Sequence, residues 1–426
     1  MQPMGEALIP GHLPGRLAIT LWDFSWYTQA AAGEPFHDLD RAFAEAVERG
    51  YNTVRICAMP YLLCGEHGLD TTQLALPGMG GSFGLGTRWY NARGGAVVNP
   101  LERLLELFRA ARRSGCYVIV SSWEYQQSPA FAATPDWYKA LYAVPEAERL
   151  PALTAALGRL VTLLKAHDLA DRIAYVELHN EIEYSKLVAE QLYRGARAQA
   201  AVKDQLEASI AALRREHPDV LVTACYAKPP ADPADIAENM QVAHFHTYVY
   251  GVLGALADAA GLNDAPDAPV APLLRDLLRP GAPDLATYAP AELWRLDATG
   301  VRRRLFYAHD WVDPVKWDGW LDAHYPAHRD EMAATLAGWL KTIAGWARVR
   351  GVPAVVGEGY VGYTPLHGRF EESAAGKEIA ELAIRECVRL GYWGAVTCSN
   401  AAPHHPFWSD ITWQREMNAL LTEGCS

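Results

Sequence analysis

Residues 173–183 read Ile173-Ala174-Tyr175-Val176-Glu177-Leu178-His179-Asn180-Glu181-Ile182-Glu183. Ile173 to Leu178 is a nearly continuous apolar run, as expected for a parallel strand covered on both faces. Its end is abruptly polar. Similar short runs, rich in Val, Ile, Tyr and Cys, recur near 17–22, 52–57, 116–121, 220–225, 241–246, 353–357 and 394–398. Segments of helical period separate them, near 38–49, 101–114, 146–167, 187–216, 233–240, 328–349, 371–390 and 411–421. Eight strands alternating with eight helices predict a single (β/α)8 TIM barrel spanning residues 1–426. An open doubly wound sheet would carry a Gly-rich first strand-to-helix turn. That turn here is Trp22-Asp23-Phe24-Ser25-Trp26, without glycine.

Local chemistry supports these boundaries. Asp38 is placed to cap the first helix, and Asn99-Pro100 combines an N-cap with proline at the first helical position. Gly50, Gly115, Gly351 and Gly391 follow helical segments as left-handed terminators. A barrel needs about 250 residues. Two long loop insertions, 59–98 after strand two and about 249–326 after strand six, absorb much of the surplus in this 426-residue chain. Both follow the C-terminal ends of strands, the face where barrel enzymes build their sites.

Composition narrows the function. Thirty-eight basic against fifty acidic residues give a formal net charge of −12. The dominant electrostatic term toward nucleic acid or an anionic membrane is then repulsive, so neither is an expected partner. No apolar run is long enough to span a bilayer. Met1–Arg16 lacks a basic start followed by an apolar stretch, so a cytoplasmic location is expected. Four of seven cysteines (Cys57, Cys116, Cys225, Cys398) sit inside apolar runs and read as buried thiols.

In a barrel the strand ends converge on one pocket. Here they supply Trp22-Asp23; Arg55; Ser122-Trp123-Glu124; His179-Asn180-Glu181; Tyr226; His244-x-His246-x-Tyr248; Glu358-Gly359-Tyr360; and Ser399-Asn400. The fourth and seventh strands each end in a carboxylate, and they face each other across the mouth. Such a pair suits glycosidic bond cleavage, one partner donating a proton to the leaving oxygen and the other attacking the anomeric carbon.

Leu178-His179-Asn180-Glu181 with Gly357-Glu358-Gly359 resembles the retaining glycoside hydrolases of clan A, and within them the cellulase-like sugar-binding family. Val54-Arg55-Ile56, His246-x-Tyr248, Trp22-Asp23-Phe24-Ser25-Trp26 and Ser121-Ser122-Trp123-Glu124-Tyr125 fit the same pattern. The resemblance implies Glu181 as acid/base, Glu358 as nucleophile, Arg55 and Tyr248 as supports of Glu358, and Asn180 and His246 at the sugar. It differs at strand three, which ends Trp123-Glu124 where many members have histidine. It differs again at strand eight, which ends Ser399-Asn400 where many have tryptophan. Trp408 is the candidate replacement for that platform.

Trp22, Asp23, Trp123, Glu124, Asn400 and Trp408 complete the expected sugar contacts, because sugar C–H faces stack on indole rings. Trp317 and Trp320 are expected in a loop core. Glu183 is a rival carboxylate. His244-x-His246 puts two imidazoles on one strand face, but neither His-Glu-x-x-His nor Cys-x-x-Cys occurs, so no metal and no cofactor are expected. Gly78, Gly80, Gly81, Gly84 and Gly86 miss the spacing of a dinucleotide loop. The expected function is a β-glycosidase, probing the ends of short oligosaccharides or glycosides. A catalytically inactive carbohydrate-binding barrel and a metal-dependent barrel hydrolase are the alternatives. Oligomeric state is left open by the sequence.

Overall fold

The computed structural model describes residues 5–77, 79, 81–187 and 196–424. Its main sheet is a parallel barrel: β1 (Leu17–Asp23), β2 (Thr53–Cys57), β3 (Tyr117–Ser121), β4 (Ile173–Glu177), β5, β6 (Ala243–His246), β7 (Ala354–Glu358) and β8 (Gly394–Val396). β5 consists of two short pieces, Val222–Thr223 and Cys225–Tyr226, separated at Ala224. The first piece pairs with β4 and the second with β6, so the ring closes through this split strand. β1 pairs with β8 on one side and β2 on the other. Every residue of β1, β2, β4, β6 and β7 is buried, Arg55, Glu177, His244, His246 and Glu358 included.

Helices α1 (Leu39–Glu48), α2 (Pro100–Arg113), α3 (Glu146–Ala166) and α4 (Ala196–Glu216) cover the first half of the barrel. The expected caps form: Asp38 Oδ1 accepts from Arg41 N at 3.0 Å and Asn99 Oδ1 from Glu102 N at 3.1 Å. Gly50, Gly115, Gly351 and Gly391 all have positive φ. Part of the helix expected over 187–216 falls on 188–195, outside the described residues. Residues 233–240 hold only a 3-10 turn at Pro233–Asp235.

The second insertion is more ordered than its Pro-, Ala- and Asp-rich sequence suggests. It carries α5 (Gly251–Ala259), a short helix Pro272–Leu277 and α6 (Arg303–Trp311). Then α7 runs from Pro314 to Arg350, fourteen residues earlier than the 328 expected. Asp313 caps it, accepting from Val315 N. Pro326 lies inside α7 on an exposed position, where water can serve the carbonyl that proline leaves unbonded. The first insertion contains a helix, Pro60–Cys64, and an antiparallel hairpin, Leu74–Leu76 with Ala96–Val98.

The insertions are tied together. Backbone N–H groups of Gly84 and Gly86 donate to the Asp310 carboxylate at 2.6 and 2.5 Å. A Cβ at Gly86 would fall 2.4 Å from the His309 carbonyl oxygen, so the close approach requires glycine. The Gly-rich loop is thus a brace between insertions; Gly78 and Gly80 lie outside the described residues. α8 (Ala374–Leu390) and α9 (Ile411–Glu423) complete the outer layer. No helix among the described residues is long and apolar enough to cross a membrane.

Candidate active site

Arg55, in the middle of β2, is fully buried and organises the barrel floor. Its Nε and Nη2 donate to the two oxygens of Glu177 at 2.8 and 2.7 Å, a bidentate pair. Nη1 donates to Glu358 Oε1 at 2.7 Å and Nη2 also to Asn180 Oδ1 at 2.7 Å. One guanidinium therefore links β2, β4 and β7. Burial opposes its charge, but Glu177 and then Glu358 outweigh burial and hold it well above its ordinary value. Burial likewise opposes ionisation of Glu177, but Arg55 dominates and holds that carboxyl down at about 2.

Glu358 ends β7. Besides Arg55 it has the Tyr248 hydroxyl, which donates to Oε2 at 2.8 Å. Tyr248 OH also lies 2.7 Å from both Tyr363 OH and Ser399 Oγ. Burial and the neighbouring Glu358 push the Tyr248 phenol well up, so it remains a neutral donor. Ser399 Oγ accepts from Gly359 N at 2.9 Å, fastening β8 to the turn after Glu358. On the other side, the imidazole of His244 packs against Gly357: a Cβ there would lie 1.8 Å from His244 Nε2. His244 Nδ1 meets Tyr175 OH at 2.8 Å, beneath the site.

Glu181 follows β4 with φ 40° and ψ 67°, a left-handed conformation rare for a residue with a side chain. Asp23, at the end of β1, has φ 42°. Both line the same cavity, where strain of this kind concentrates in functional sites. Glu181 Oε1 lies 2.9 Å from His246 Nδ1, and Oε2 accepts from Gln126 Nε2 at 3.3 Å. Gln126 Oε1 in turn accepts from Asn180 Nδ2 at 2.9 Å. His246 bridges the two carboxylates, its Nε2 being 3.6 Å from Glu358 Oε1. Cys225 Sγ lies 3.2 Å from that same Nε2. One oxygen each of Glu181 and Glu358 and one His246 nitrogen lie within 4.8 Å of one another.

A cavity of about 210 Å³ opens above this pair, lined by Asp23, Trp123, Asn180, Glu181, Tyr248 and Glu358 from the strand ends. Trp123 also carries the Arg55 guanidinium over its ring at 4.5 Å. Arg55 and His246 support the cavity from below. The other expected sugar contacts are placed elsewhere. Trp22 is buried against Phe36 and Phe43. The Glu124 carboxylate accepts from Tyr61 N, Leu62 N and Trp137 Nε1, at the start of helix Pro60–Cys64. Burial pushes Glu124 up to about 7. Trp408 stacks on Tyr51, lies under Arg49 and donates Nε1 to Glu45, in the outer layer. Asn400 is buried outside the cavity lining, neither amide atom having a partner among the described residues. Glu183 faces Gln199 and Ala227 N instead.

Four partners escaped sequence reasoning. Glu177 is a charge inside an apolar strand, as is Arg55, and that opposite-sign pairing is a readable signal. Gln126 and Tyr363 lie in loops, where no periodicity marks them. Trp317, expected in a loop core, lines the cavity from α7. Cys225, His244 and His246 also bring donor atoms within 4.8 Å of one another. Arg55 Nη2, 3.9 Å from Cys225 Sγ, places a fixed positive charge beside that cluster and opposes a cation there.

The barrel with facing carboxylates after β4 and β7 is the arrangement that the resemblance to clan A glycoside hydrolases implies. Within that class, residues 19–229 match the model of the cellulase-like family, described as sugar-binding cellulase-like. The match covers almost half of the chain, which over that stretch is similar to the cellulase-like family. A candidate glycoside hydrolase from Parabacteroides distasonis ATCC 8503 shares the fold at TM-score 0.65 and 17% identity, over 95% of this chain and 93% of that one. A glycoside hydrolase family 5 protein from Streptomyces cattleya, in complex with Manβ1-4GlcNAc, aligns at TM-score 0.47 and 15% identity, over 91% and 71%. A family 5 mannosidase from Rhizomucor miehei aligns at 0.46 and 11%, over 96% and 94%. No curated protein matches the chain.

Proposed function

We propose that this protein hydrolyses a β-glycosidic bond with retention of configuration, acting on the end of a short oligosaccharide or glycoside. The observation that carries the reading is the carboxylate pair. Oxygens of Glu181 and Glu358 lie within 4.8 Å, close to the roughly 5–5.5 Å separation of retaining enzymes and short of the 6.5–9.5 Å that accommodates an attacking water. Their surroundings divide the roles. Glu358, bonded by Arg55 and Tyr248, is the carboxylate that attacks the anomeric carbon. Glu181, on the open side, protonates the departing oxygen. Once the glycosyl ester has formed, Glu181 takes a proton from water, whose oxygen displaces Glu358. Asn180, oriented by Arg55 and Gln126, keeps one amide hydrogen for a sugar hydroxyl. The insertions wall the cavity into a pocket, which supports action at a chain end.

The test is a screen of aryl β-glycosides across common pyranoses and furanoses, followed by NMR of the first-formed anomer. Turnover with retention is expected. With the active sugar identified, its 2-deoxy-2-fluoro glycoside should label the peptide containing Glu358. An inverted product, or label on Glu124 or Glu183, overturns the assignment.

A further inference from the structure

The strand ends give the cavity Asp23, Asn180, Glu181, Tyr248 and Glu358. The insertions add a second set of side chains to the same lining. Trp89 comes from the first insertion, and His309 and Trp317 come from the second. With Tyr363 they form a chain of rings. Trp89 packs on Tyr363 at 4.2 Å between centroids and meets His309 edge to face at 5.8 Å. His309 in turn meets Trp317 edge to face at 5.7 Å. The brace between the insertions holds this chain together. Asp310, which accepts from Gly84 N and Gly86 N, follows His309 directly, and Trp89 lies three residues beyond Gly86.

The nitrogens of this wall are not used by the fold. His309 Nδ1 and Trp317 Nε1 are buried with no hydrogen-bond partner among the described residues, in residues only 4% and 2% exposed. Burial, and then the Arg88 charge, lower the His309 imidazole to about 3. The ring is therefore neutral and has one N–H and one lone pair, while the indole has one N–H. A buried polar group without a partner costs free energy, and a partner that arrives with a ligand removes that cost. A sugar supplies such a partner: its hydroxyls both donate and accept, and its C–H faces lie against indole rings. A hydrocarbon supplies neither donor nor acceptor.

We infer that His309 and Trp317 bind a sugar hydroxyl, within a ring-lined wall that Trp89 completes from the other insertion. The inference rests on the glycosidase reading and names the insertion residues that select its sugar. The hydroxyl belongs either to the ring attacked by Glu358 or to the ring joined to it.

The experiment uses the full chain, with 4-nitrophenyl β-D-glucoside and β-D-mannoside beside cellobiose and β-1,4-mannobiose. Turnover gives kcat/KM, and calorimetry on Glu358→Gln gives binding. His309→Phe keeps a ring between Trp89 and Trp317 and removes both nitrogens; Trp317→Phe removes the indole N–H. Each should weaken binding and lower kcat/KM roughly 3- to 15-fold on the preferred sugar. His309→Phe should raise the denaturant midpoint or leave it unchanged, because the free protein loses an unpaired buried group. A loss on aryl glycoside and disaccharide alike assigns the hydroxyl to the attacked ring, and a loss on disaccharide alone assigns it to the other. A lower midpoint for His309→Phe, or unchanged binding and kcat/KM in both variants, overturns the inference and leaves the glycosidase reading intact. Binding without turnover, weakened by both substitutions, overturns the glycosidase reading and supports the wall. Neither binding nor turnover with any of the four sugars overturns the inference.

Discussion

Glu358 and Glu181 are the same residue type, a few ångströms apart, held in opposite ways. Glu358 is 5% exposed and is the last residue of its strand, with Arg55 and Tyr248 fixing one oxygen each. Glu181 lies beyond its strand in a left-handed conformation. Its partners are one imidazole and one amide, and its side chain is 19% exposed. A nucleophile works in one protonation state and gains from rigid support. An acid that must later serve as base has to change its proton without dismantling its surroundings. The two sets of contacts fit the two roles proposed above.

The sharpest way to break this contrast is to delete each carboxylate. Glu358→Ala should lower kcat on an aryl glycoside on the order of 10⁵-fold, because no other group attacks. Glu181→Ala should cost about 10²–10⁴-fold on a poor leaving group and much less on an activated one. Azide should accelerate the Glu181 variant by entering where the base is missing. Steady-state kinetics with and without azide checks both; equal losses insensitive to the leaving group would erase the distinction.

The floor offers a second test. Arg55→Met leaves Glu177 and Glu358 without their cation in a buried site. Loss of about 3–5 kcal/mol of stability is expected from denaturant unfolding. A loss below about 1 kcal/mol would show that the network serves chemistry alone.

The smallest effect concerns acid. Glu177 is held at about 2 when folded and near its ordinary 4.5 when unfolded. Its contribution is complete above about 4.5 and disappears as pH falls toward 2. Unfolding midpoints should therefore drop across that window, and Glu177→Gln should flatten that part of the curve.

Much of this was legible in the sequence because barrels obey simple periodicity. All eight strands announce themselves as short apolar runs, and polar strand ends mark the pocket. Arg55, Glu181, His246, Tyr248 and Glu358 stand out from their strand-end positions together with the resemblance to clan A. What the sequence hid depends on direction and distance. Glu124 ends its strand like a sugar contact, yet its carboxylate turns to the amides of Tyr61 and Leu62. Trp408 has the right composition for a platform but is claimed by Arg49, Tyr51 and Glu45. The helix expected from 328 begins at Pro314, and that earlier start is what puts Trp317, expected in a loop core, on α7.

Gly357 carries a consequence for any survey of sequence tolerance. It never faces the cavity, yet even a methyl group there would strike His244 and displace the residue that precedes Glu358. A saturation library selected for turnover should find position 357 as intolerant as the carboxylate beside it. Ranking by sensitivity alone would then count a spacer among the reacting groups. Only a double library, with His244 shortened at the same time, separates the residue that reacts from the residue that makes room.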